Sequence, residues 1–396
     1  MTVTVPQGFR AAGVAAGLKA SGGKDVALVV NDGPLTAAAG VFTRNRVKAA
    51  PVRWSQQVLK AGSLRAVVLN SGGANACTGP AGFQDTHATA EHVAHRLSAT
   101  GSVGTDVGAG EVAVCSTGLI GVRLPMDKLL GGVDAAVAAL SRDGGQAAAE
   151  AIMTTDTRAK TSHAAAAGPN GRGFLVGGMA KGAGMLAPSL ATMLCVLTTD
   201  AVAAPEALHA ALAEAVRVSF ERLDSDGCLS TNDTVLLLAS GASGVEPDQE
   251  QLTAAVTGVC RDLTRQLLAD AEGATKQVSI EVTGAATEED AVEVGRAVAR
   301  NNLVKTALFG SDPNWGRILA AVGTTDAAFD PDEVDVTING VRVCRAGAPD
   351  RDRSEVDLSG FDVAIQVDLH AGDATATVWT NDLSHGYVHE NSAYST

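Results

Sequence analysis

Aromatic side chains are scarce in this chain of 396 residues, where they make up 3% of the sequence against 46% for all hydrophobic residues. A core without many large rings has to be filled by Ala, Val and Leu packed closely together. Charged residues make up 19%, and the overall balance is that of a globular protein. Because the chain exceeds the usual size of one compact core, we expect two structural units or one large layered fold.

Long apolar runs are also missing, since none approaches the roughly 18 residues that a membrane span needs. Residues 1–6 show neither the basic start nor the apolar stretch of a signal peptide. We therefore expect a soluble, cytoplasmic protein that does not bind a membrane.

Metal-binding patterns are absent as well. The six cysteines show no CxxC spacing, which indicates buried, reduced thiols in a cytoplasmic protein. The eight histidines form no HExxH motif. His92 and His95 stand three apart in a region with a helical pattern, but a third ligand is lacking. We predict no metal and no cofactor.

Positive charge is in short supply, because the formal net charge is −14. This argues against a nucleic-acid partner, whose phosphates require a basic surface. The charge is uneven: residues 1–191 carry a net +6 and residues 192–396 a net −20. Opposite net charges would attract these two parts of the chain to each other and help to keep them together. Chance explains the asymmetry equally well.

The patterns that are present predict a mixed α/β protein. Short β-branched runs at 26–30, 65–69, 112–115, 278–282, 334–338, 363–367 and 375–379 predict strands. Apolar residues at helical spacing predict helices over 126–140, 205–220 and 252–267, and a fourth helix capped by Thr287. Long helices beside mostly antiparallel strands favour a layered α/β sandwich over a doubly wound sheet.

The most unusual stretch is residues 168–184, which contains seven glycines. It lacks the GxxxxGK[ST] and GxGxxG patterns of phosphate-binding loops, so we predict a flexible loop instead. Directly after it, Thr192 follows Ala191 and opens the apolar run 193–197. A hydroxyl at such a position can attack the preceding carbonyl if the backbone is strained. Taken alone, however, Thr192 fits an ordinary strand residue better.

A family resemblance changes that interpretation. Residues 181–188 and 191–194 closely resemble the self-processing site of the ornithine acetyltransferase (glutamate N-acetyltransferase) family. One departure is Gly73, where the family more often has Asn. Further blocks that resemble the family follow in order along the chain, at 70–79, 116–121, 151–157, 230–234, 272–276, 305–307 and 312–318.

The resemblance implies a fold and a chain organisation. The fold would be a layered αββα sandwich, as in the family and in self-processing aminopeptidases. The chain would cut itself between Ala191 and Thr192, giving an alpha chain of residues 1–191 and a beta chain of residues 192–396. Two copies of each would assemble into a heterotetramer.

The resemblance also implies roles for particular residues. Thr192 would be the nucleophile, with its new α-amine as base, because that amine has a reference pKa of about 7.7–8.0. The Thr117 hydroxyl and the Gly118 N–H would form the oxyanion hole. Lys181 suits a carboxylate and Glu272 the cationic side chain of ornithine. The full set of implied substrate contacts is Thr155, Lys181, Thr192, Glu272, Asn391 and Thr396.

The implied activity is a ping-pong acetyl transfer from N-acetylornithine to glutamate in arginine biosynthesis. Use of acetyl-CoA as a second donor stays open, as does a paralogue with a shifted acceptor in a secondary pathway. A self-processing aminopeptidase or amidase would use the same nucleophile with water as acceptor. Outside the enzymes, the alternative is a binding or assembly module that matures by cleavage.

Overall fold

The structure is a computed structural model that describes residues 2–101, 103–184 and 193–393. Among these residues, no helix has the length and apolar character that crossing a membrane requires. The strands, in chain order, are β1 Phe9–Val14, β2 Val26–Asn31, β3 Ala38–Phe42, β4 Ala66–Ser71, β5 Val112–Thr117, β6 Lys160–Ala167, β7 Gly173–Lys181, β8 Leu194–Thr199, β9 Thr234–Ala239, β10 Gln277–Ala285, β11 Asp335–Ile338, β12 Val341–Arg345, β13 Ala348–Pro349, β14 Asp362–Asp368 and β15 Ala374–Asn381.

The α-helices carry apolar stripes that pack on these strands. In chain order they are α1 Ala50–Val58, α2 Gly79–Ala99, α3 Met126–Ala138, α4 Gly145–Ala151, α5 Pro205–Arg217, α6 Gln249–Ala269, α7 Glu288–Arg300, α8 Asn302–Phe309, α9 Trp315–Val322 and α10 His385–Ala393. The helices predicted over 126–140 and 205–220 end earlier, at Ala138 and Arg217. The predicted cap of α7 is confirmed, because the Thr287 hydroxyl accepts the N–H of Asp290 at 3.1 Å.

The strands form three sheets. The first has the order β1-β2-β4-β5, the second β3-β9-β8-β7-β6, and the third β13-β12-β11-β14-β10-β15. Neighbours are antiparallel except for one parallel pair in each sheet, namely β4–β5, β8–β9 and β10–β14. The expectation of mostly antiparallel strands is therefore confirmed.

The first two sheets face each other and form the inner layers of a sandwich. Val29 and Leu69 of the first sheet share a core with Val196 and Leu236 of the second. Leu28, one position along β2, points to the opposite face and packs in the core under α2 and α3. Helices α5 and α6 cover the outer face of the second sheet. The predicted αββα sandwich is therefore confirmed for this part of the chain.

The third sheet forms a second unit, with α7, α8 and α9 on one face. Its strand β14 alternates as predicted, with Val363, Ile365 and Val367 buried between exposed residues. The two units meet where the Asp224 N–H donates to the Trp379 carbonyl at 2.8 Å. The chain thus has both a layered fold and a separate second unit, which the predicted sandwich alone did not include.

Two expectations are wrong. Most of the glycine-rich stretch is not a flexible loop but the buried strand β7, hydrogen-bonded on both sides. Its glycines are needed for close packing, since a Cβ on Gly177 would lie 2.5 Å from the Thr2 carbonyl oxygen. The second concerns the thiols. Cys77 and Cys228 are exposed, because both lie in loops between regular elements, whereas the other four cysteines are buried.

Candidate active site

A small cavity of about 70 Å³ lies where the ends of several strands meet. Strand β5 ends there at Thr117, β7 ends there at Lys181, and β9 begins just after Asn232. The lining residues come from these ends and from neighbouring loops: Ala74, Thr117, Gly118, Ile120, Thr154, Thr155, Lys181, Gly184, Ser230, Thr231, Asn232, Glu272 and Asn391.

Every predicted site residue that the structure describes lines this cavity: Thr117, Gly118, Thr155, Lys181, Glu272 and Asn391. The remaining three, Ala191, Thr192 and Thr396, lie outside the described residues. Four larger cavities in the described part, of about 450, 570, 480 and 90 Å³, contain none of the predicted residues. The small polar cavity is therefore the candidate site.

Thr117 and Gly118 are held by close contact between two backbone segments. The Thr117 carbonyl accepts the Gly73 N–H at 3.0 Å. Gly118 has a φ of 122°, and a Cβ at this position would lie 2.7 Å from the Gly73 nitrogen. No other residue fits there without moving the backbone, so the turn after β5 depends on this glycine.

The Lys181 side chain is buried and reaches the Thr117 hydroxyl, with 3.3 Å between Nζ and Oγ1. Because an ammonium group can only donate, the threonine oxygen is the acceptor. The hydroxyl hydrogen of Thr117 is then left to be donated to another group. Burial lowers the pKa of Lys181, and the nearby Asp156 carboxylate opposes that effect.

Asp156 carries its charge deep in the protein. Burial alone would raise its pKa, but the ammonium groups of Lys181 and Lys160 outweigh burial and hold the pKa at about 2. The Lys160 Nζ atom donates to Asp156 Oδ1 at 2.6 Å and to Asp270 Oδ2 at 2.5 Å. Neither aspartate nor Lys160 was assigned a role from the sequence.

Glu272 and Asn391 form the opposite wall. The Glu272 N–H donates to the Ala183 carbonyl at 2.9 Å, and its carboxylate accepts from Asn391 Nδ2 at 3.0 Å. Helix α10 can approach because Gly273 has no side chain: a Cβ there would lie 2.2 Å from the Tyr387 nitrogen. The C-terminal segment is thus folded back onto the site as far as Asn391.

Sequence reasoning also missed the function of two neighbouring polar residues. Asn232 Nδ2 donates to the carbonyls of Ala74 and Ser116, at 2.6 and 2.8 Å, which ties β9 to the end of β5. The buried Asp233 accepts the N–H of Met193 at 3.0 Å. Burial raises the pKa of Asp233 well above its ordinary value, although the Met193 N–H opposes this. The sequence signals were a polar block immediately before an apolar strand and the position of both residues in block 230–234, which resembles the family.

A cavity that places a threonine hydroxyl, a buried ammonium group and a carboxylate around a small volume has the groups of an enzyme site for a charged small molecule. Comparison with known proteins identifies the family. Residues 10–396 match the ArgJ family, and the chain belongs to this family.

Two ArgJ proteins match this chain over its full length. The arginine biosynthesis bifunctional protein ArgJ of Thermobifida fusca (strain YX) is 64% identical over 396 residues, covering 100% of both chains. The protein of the same name from Mycobacterium tuberculosis (strain ATCC 25618 / H37Rv) is 63% identical and covers 100% of this chain and 96% of its own. A solved ornithine acetyltransferase from M. tuberculosis, complexed with ornithine, matches 48% of this chain and 96% of its own at 64% identity, with a TM-score of 0.43.

Membership of the family confirms the resemblance that the sequence blocks indicated. It also confirms the prediction of an enzyme, an acyltransferase of arginine biosynthesis.

Proposed function

We propose that the protein transfers the acetyl group of N2-acetylornithine to glutamate through an acetyl-Thr192 intermediate. The observation that carries the proposal is the convergence of six predicted residues on one cavity. Four of them come from residues 1–191 and two from residues 192–396, so neither part alone would hold the site.

The charges of the cavity fit the proposed donor. N2-acetylornithine carries one carboxylate and one side-chain ammonium group. The Lys181 ammonium suits the carboxylate, and the Glu272 carboxylate suits the ammonium group of the side chain. Thr155 and Asn391 line the same cavity and would supply neutral hydrogen bonds.

The proposed chemistry runs in two halves. The Thr192 hydroxyl attacks the acetyl carbonyl while the Thr192 α-amine takes the hydroxyl proton, and the oxyanion accepts from Thr117 Oγ1 and Gly118 N. The C–N bond then breaks, and ornithine leaves with that proton on its amine. In the second half the α-amine of glutamate attacks the acetyl ester, and the ester C–O bond breaks. The proton that the attacking amine loses passes through the Thr192 α-amine to the Thr192 oxygen, which regenerates the hydroxyl. The donor role of Thr117 is supported by its contact with Lys181, which leaves its hydrogen for the oxyanion.

The nucleophile would be freed by cleavage between Ala191 and Thr192, giving chains 1–191 and 192–396. Strand β7 of the first part pairs with β8 of the second from Val176↔Thr199 to Lys181↔Leu194. Strand β3 pairs with β9 across the same division. We propose that the cut chains stay together and form a heterotetramer of two copies of each in the cytoplasm, where amino acids are made.

We also propose acetyl-CoA as a second donor, which is supported by the word bifunctional in the names of the relatives. The test compares N2-acetylornithine and acetyl-CoA as donors to glutamate. We expect N-acetylglutamate and ornithine in equal amounts, and exchange of labelled ornithine into N2-acetylornithine without glutamate, as a ping-pong mechanism requires. Acetate as the sole acetyl product would contradict acetyl transfer and favour the amidase alternative.

Purified protein should consist of two fragments, the second beginning Thr-Met-Leu-Cys. They should co-elute on gel filtration even in 1 M salt, at a size well above the 39.9 kDa of one chain. Apolar burial rather than net charge would hold them, since Leu194, Val196 and Leu197 are buried and each would cost about 1.5–3 kcal/mol to expose. Separation in salt alone, or a single uncut chain in fully active enzyme, would contradict this proposal.

A further inference from the structure

Three charged side chains lie buried beside the candidate site and have no role in the proposed reaction. Asp156, Lys160 and Asp270, here called the buried ion triad, have side-chain exposures of 0%, 0% and 4%. One ammonium group bridges two carboxylates, at 2.6 and 2.5 Å. Taking such charges out of water is unfavourable even when they are paired, so their retention calls for a purpose other than stability.

One end of the triad holds Lys181. Asp156 Oδ1 accepts the N–H of Gly182 at 2.7 Å, which fixes the backbone directly after Lys181. Asp156 Oδ2 lies 4.0 Å from Lys181 Nζ and attracts that ammonium group. Both oxygens of Asp156 therefore act on the position of one cavity residue.

The other end of the triad holds the segment that carries Glu272. Asp270 follows α6 directly and lies two residues before Glu272. Its carboxylate accepts from Lys160 Nζ and from the Thr157 N–H, the latter at 3.1 Å. Lys160 and Thr157 belong to residues 1–191 and Asp270 to residues 192–396, so the triad also crosses the proposed cleavage point.

The Lys160 ammonium group keeps the two ends together. Without it, two ionised carboxylates would face each other in a buried place and would repel. The segment at Gly182 and the segment at Asp270 would then move apart. The distance between Lys181 Nζ and the Glu272 carboxylate depends on these same two segments.

We propose that the buried ion triad fixes the separation of Lys181 and Glu272, and thereby selects the amino-acid substrate by the distance between its carboxylate and its side-chain ammonium group. The inference rests on the proposed function. Asp156, Lys160 and Asp270 are positioning residues in this proposal, because they act on the substrate only through Lys181 and Glu272.

The test measures selectivity for chain length. The donors are N2-acetylornithine, its homologue with one methylene fewer (N2-acetyl-2,4-diaminobutyrate) and its homologue with one more (N2-acetyllysine). One methylene typically changes kcat/KM about 10- to 200-fold in a fitted pocket. The selectivity ratio is kcat/KM for N2-acetylornithine divided by kcat/KM for either homologue. In Asp270→Asn and Asp156→Asn we expect this ratio to fall about tenfold. The loss should appear mainly as a higher KM for N2-acetylornithine, with kcat changed less.

A matched control separates positioning from loss of a buried ion pair. Asp224 has a fully buried side chain paired with Arg300 at 2.7 Å, and it does not line the cavity. Asp224→Asn should keep the wild-type selectivity ratio. Thr157→Ala provides a mild variant in case the aspartate variants do not fold, because Thr157 is exposed and its hydroxyl donates a neutral hydrogen bond to Asp270 Oδ1 that alanine cannot make. It should lower the ratio in the same direction by a smaller factor.

The outcomes distinguish the two proposals. A wild-type enzyme that moves no acetyl group from N2-acetylornithine to glutamate would overturn the proposed function and this inference with it. An active wild-type enzyme whose folded triad variants keep the full ratio would overturn the inference alone. Lys160→Met should lower the selectivity ratio, whereas Lys160→Arg, which keeps the bridging charge, should leave it near the wild-type value. This pair of results would support the inference.

Discussion

Buried charges are satisfied in different ways beside the candidate site and in the second unit. Beside the site, buried ions meet other ions: Lys160 lies between Asp156 and Asp270, and Asp156 lies 4.0 Å from Lys181. In the second unit, the buried Lys276 instead donates to the Leu358 and Gly360 carbonyls, at 2.6 and 2.8 Å. The first arrangement builds an electrostatic site, whereas the second satisfies backbone groups that would otherwise lack a partner.

The sheets differ in the same way. Strand β14 of the second unit buries one face and exposes the other, so its polar residues remain in water. Strands β4 and β5 of the sandwich are buried at every residue, up to Ser71 and Thr117. Burying a polar group is unfavourable unless it is hydrogen-bonded, so buried polar side chains at strand ends are candidates for a function. Substitutions at the candidate site in the sandwich should therefore change the rate of acetyl transfer. Substitutions in the second unit should change the free energy of unfolding.

The largest effect is expected at Thr192. Thr192→Ala removes the proposed nucleophile, so the chain should stay uncut and acetyl transfer should fall by about 10⁴- to 10⁶-fold. Mass spectrometry of the purified chain and a single-turnover acetyl-transfer assay would measure the two effects. Thr192→Ser retains a hydroxyl and is the matched control, for which we expect cleavage to continue.

If the Thr192→Ala protein were cut and active, Thr192 would not be the nucleophile. The unfolding midpoint in urea should change little in the alanine variant, since a single hydroxyl and methyl group are lost. A large loss of stability instead would assign Thr192 to structure and would weaken the contrast between the two units.

Thr117→Ala should have the next largest effect. Loss of one of two oxyanion donors typically lowers kcat by about 10²- to 10³-fold. Thr117→Ser should retain most of the rate, because its hydroxyl can still accept from Lys181 and donate to the oxyanion. Thr337→Ala, at a strand threonine of the second unit, is the control and should leave kcat unchanged. A near-normal kcat in Thr117→Ala would assign Thr117 to the fold alone.

Local patterns were sufficient to predict much of the fold. The alternation of β14 and the Thr287 cap of α7 depend on neighbours in sequence, and both were predicted correctly. The glycines of β7 were misread, because a sequence does not show whether glycine serves flexibility or close packing. Gly177 packs against Thr2, at the far end of the chain. Such a contact is set by tertiary structure, as is the pairing of strands into a separate third sheet.

The candidate site was predictable only in part, and through the family resemblance rather than from chemistry. Lys181 and Glu272 taken alone would pass for solvated charges. Within the buried ion triad only Asp156 lies in a block that resembles the family, and nothing in the sequence linked it to the other two, since Lys160 and Asp270 are 110 positions apart. A pair of opposite charges at that separation is common in any sequence, and only the fold shows which pairs are buried together.

The smallest effect is expected at Asp224, where the two units meet. Burial raises the pKa of Asp224 to about 6, although the Arg300 guanidinium opposes this. The pKa in the unfolded chain is about 3.9, so the unfolded state gives up this proton first as the pH rises. The free energy of unfolding contributed by Asp224 is thus fully present below about pH 4 and is lost progressively up to pH 6, by at most about 3 kcal/mol.

Asp224→Asn should therefore flatten the dependence of stability on pH between 4 and 6 and leave kcat unchanged, because Asp224 does not line the cavity. Urea unfolding of wild type and variant at several pH values would measure the difference. Asp373→Asn, at an exposed carboxylate of the second unit, is the control and should leave the wild-type curve as it is. If Asp224→Asn kept the full pH dependence, the buried carboxylate at the junction would not be the group that titrates. A change of kcat in Asp224→Asn would instead show that the junction between the two units contributes to catalysis. The assignment of rate effects to the sandwich and of stability effects to the second unit would then be wrong at this junction.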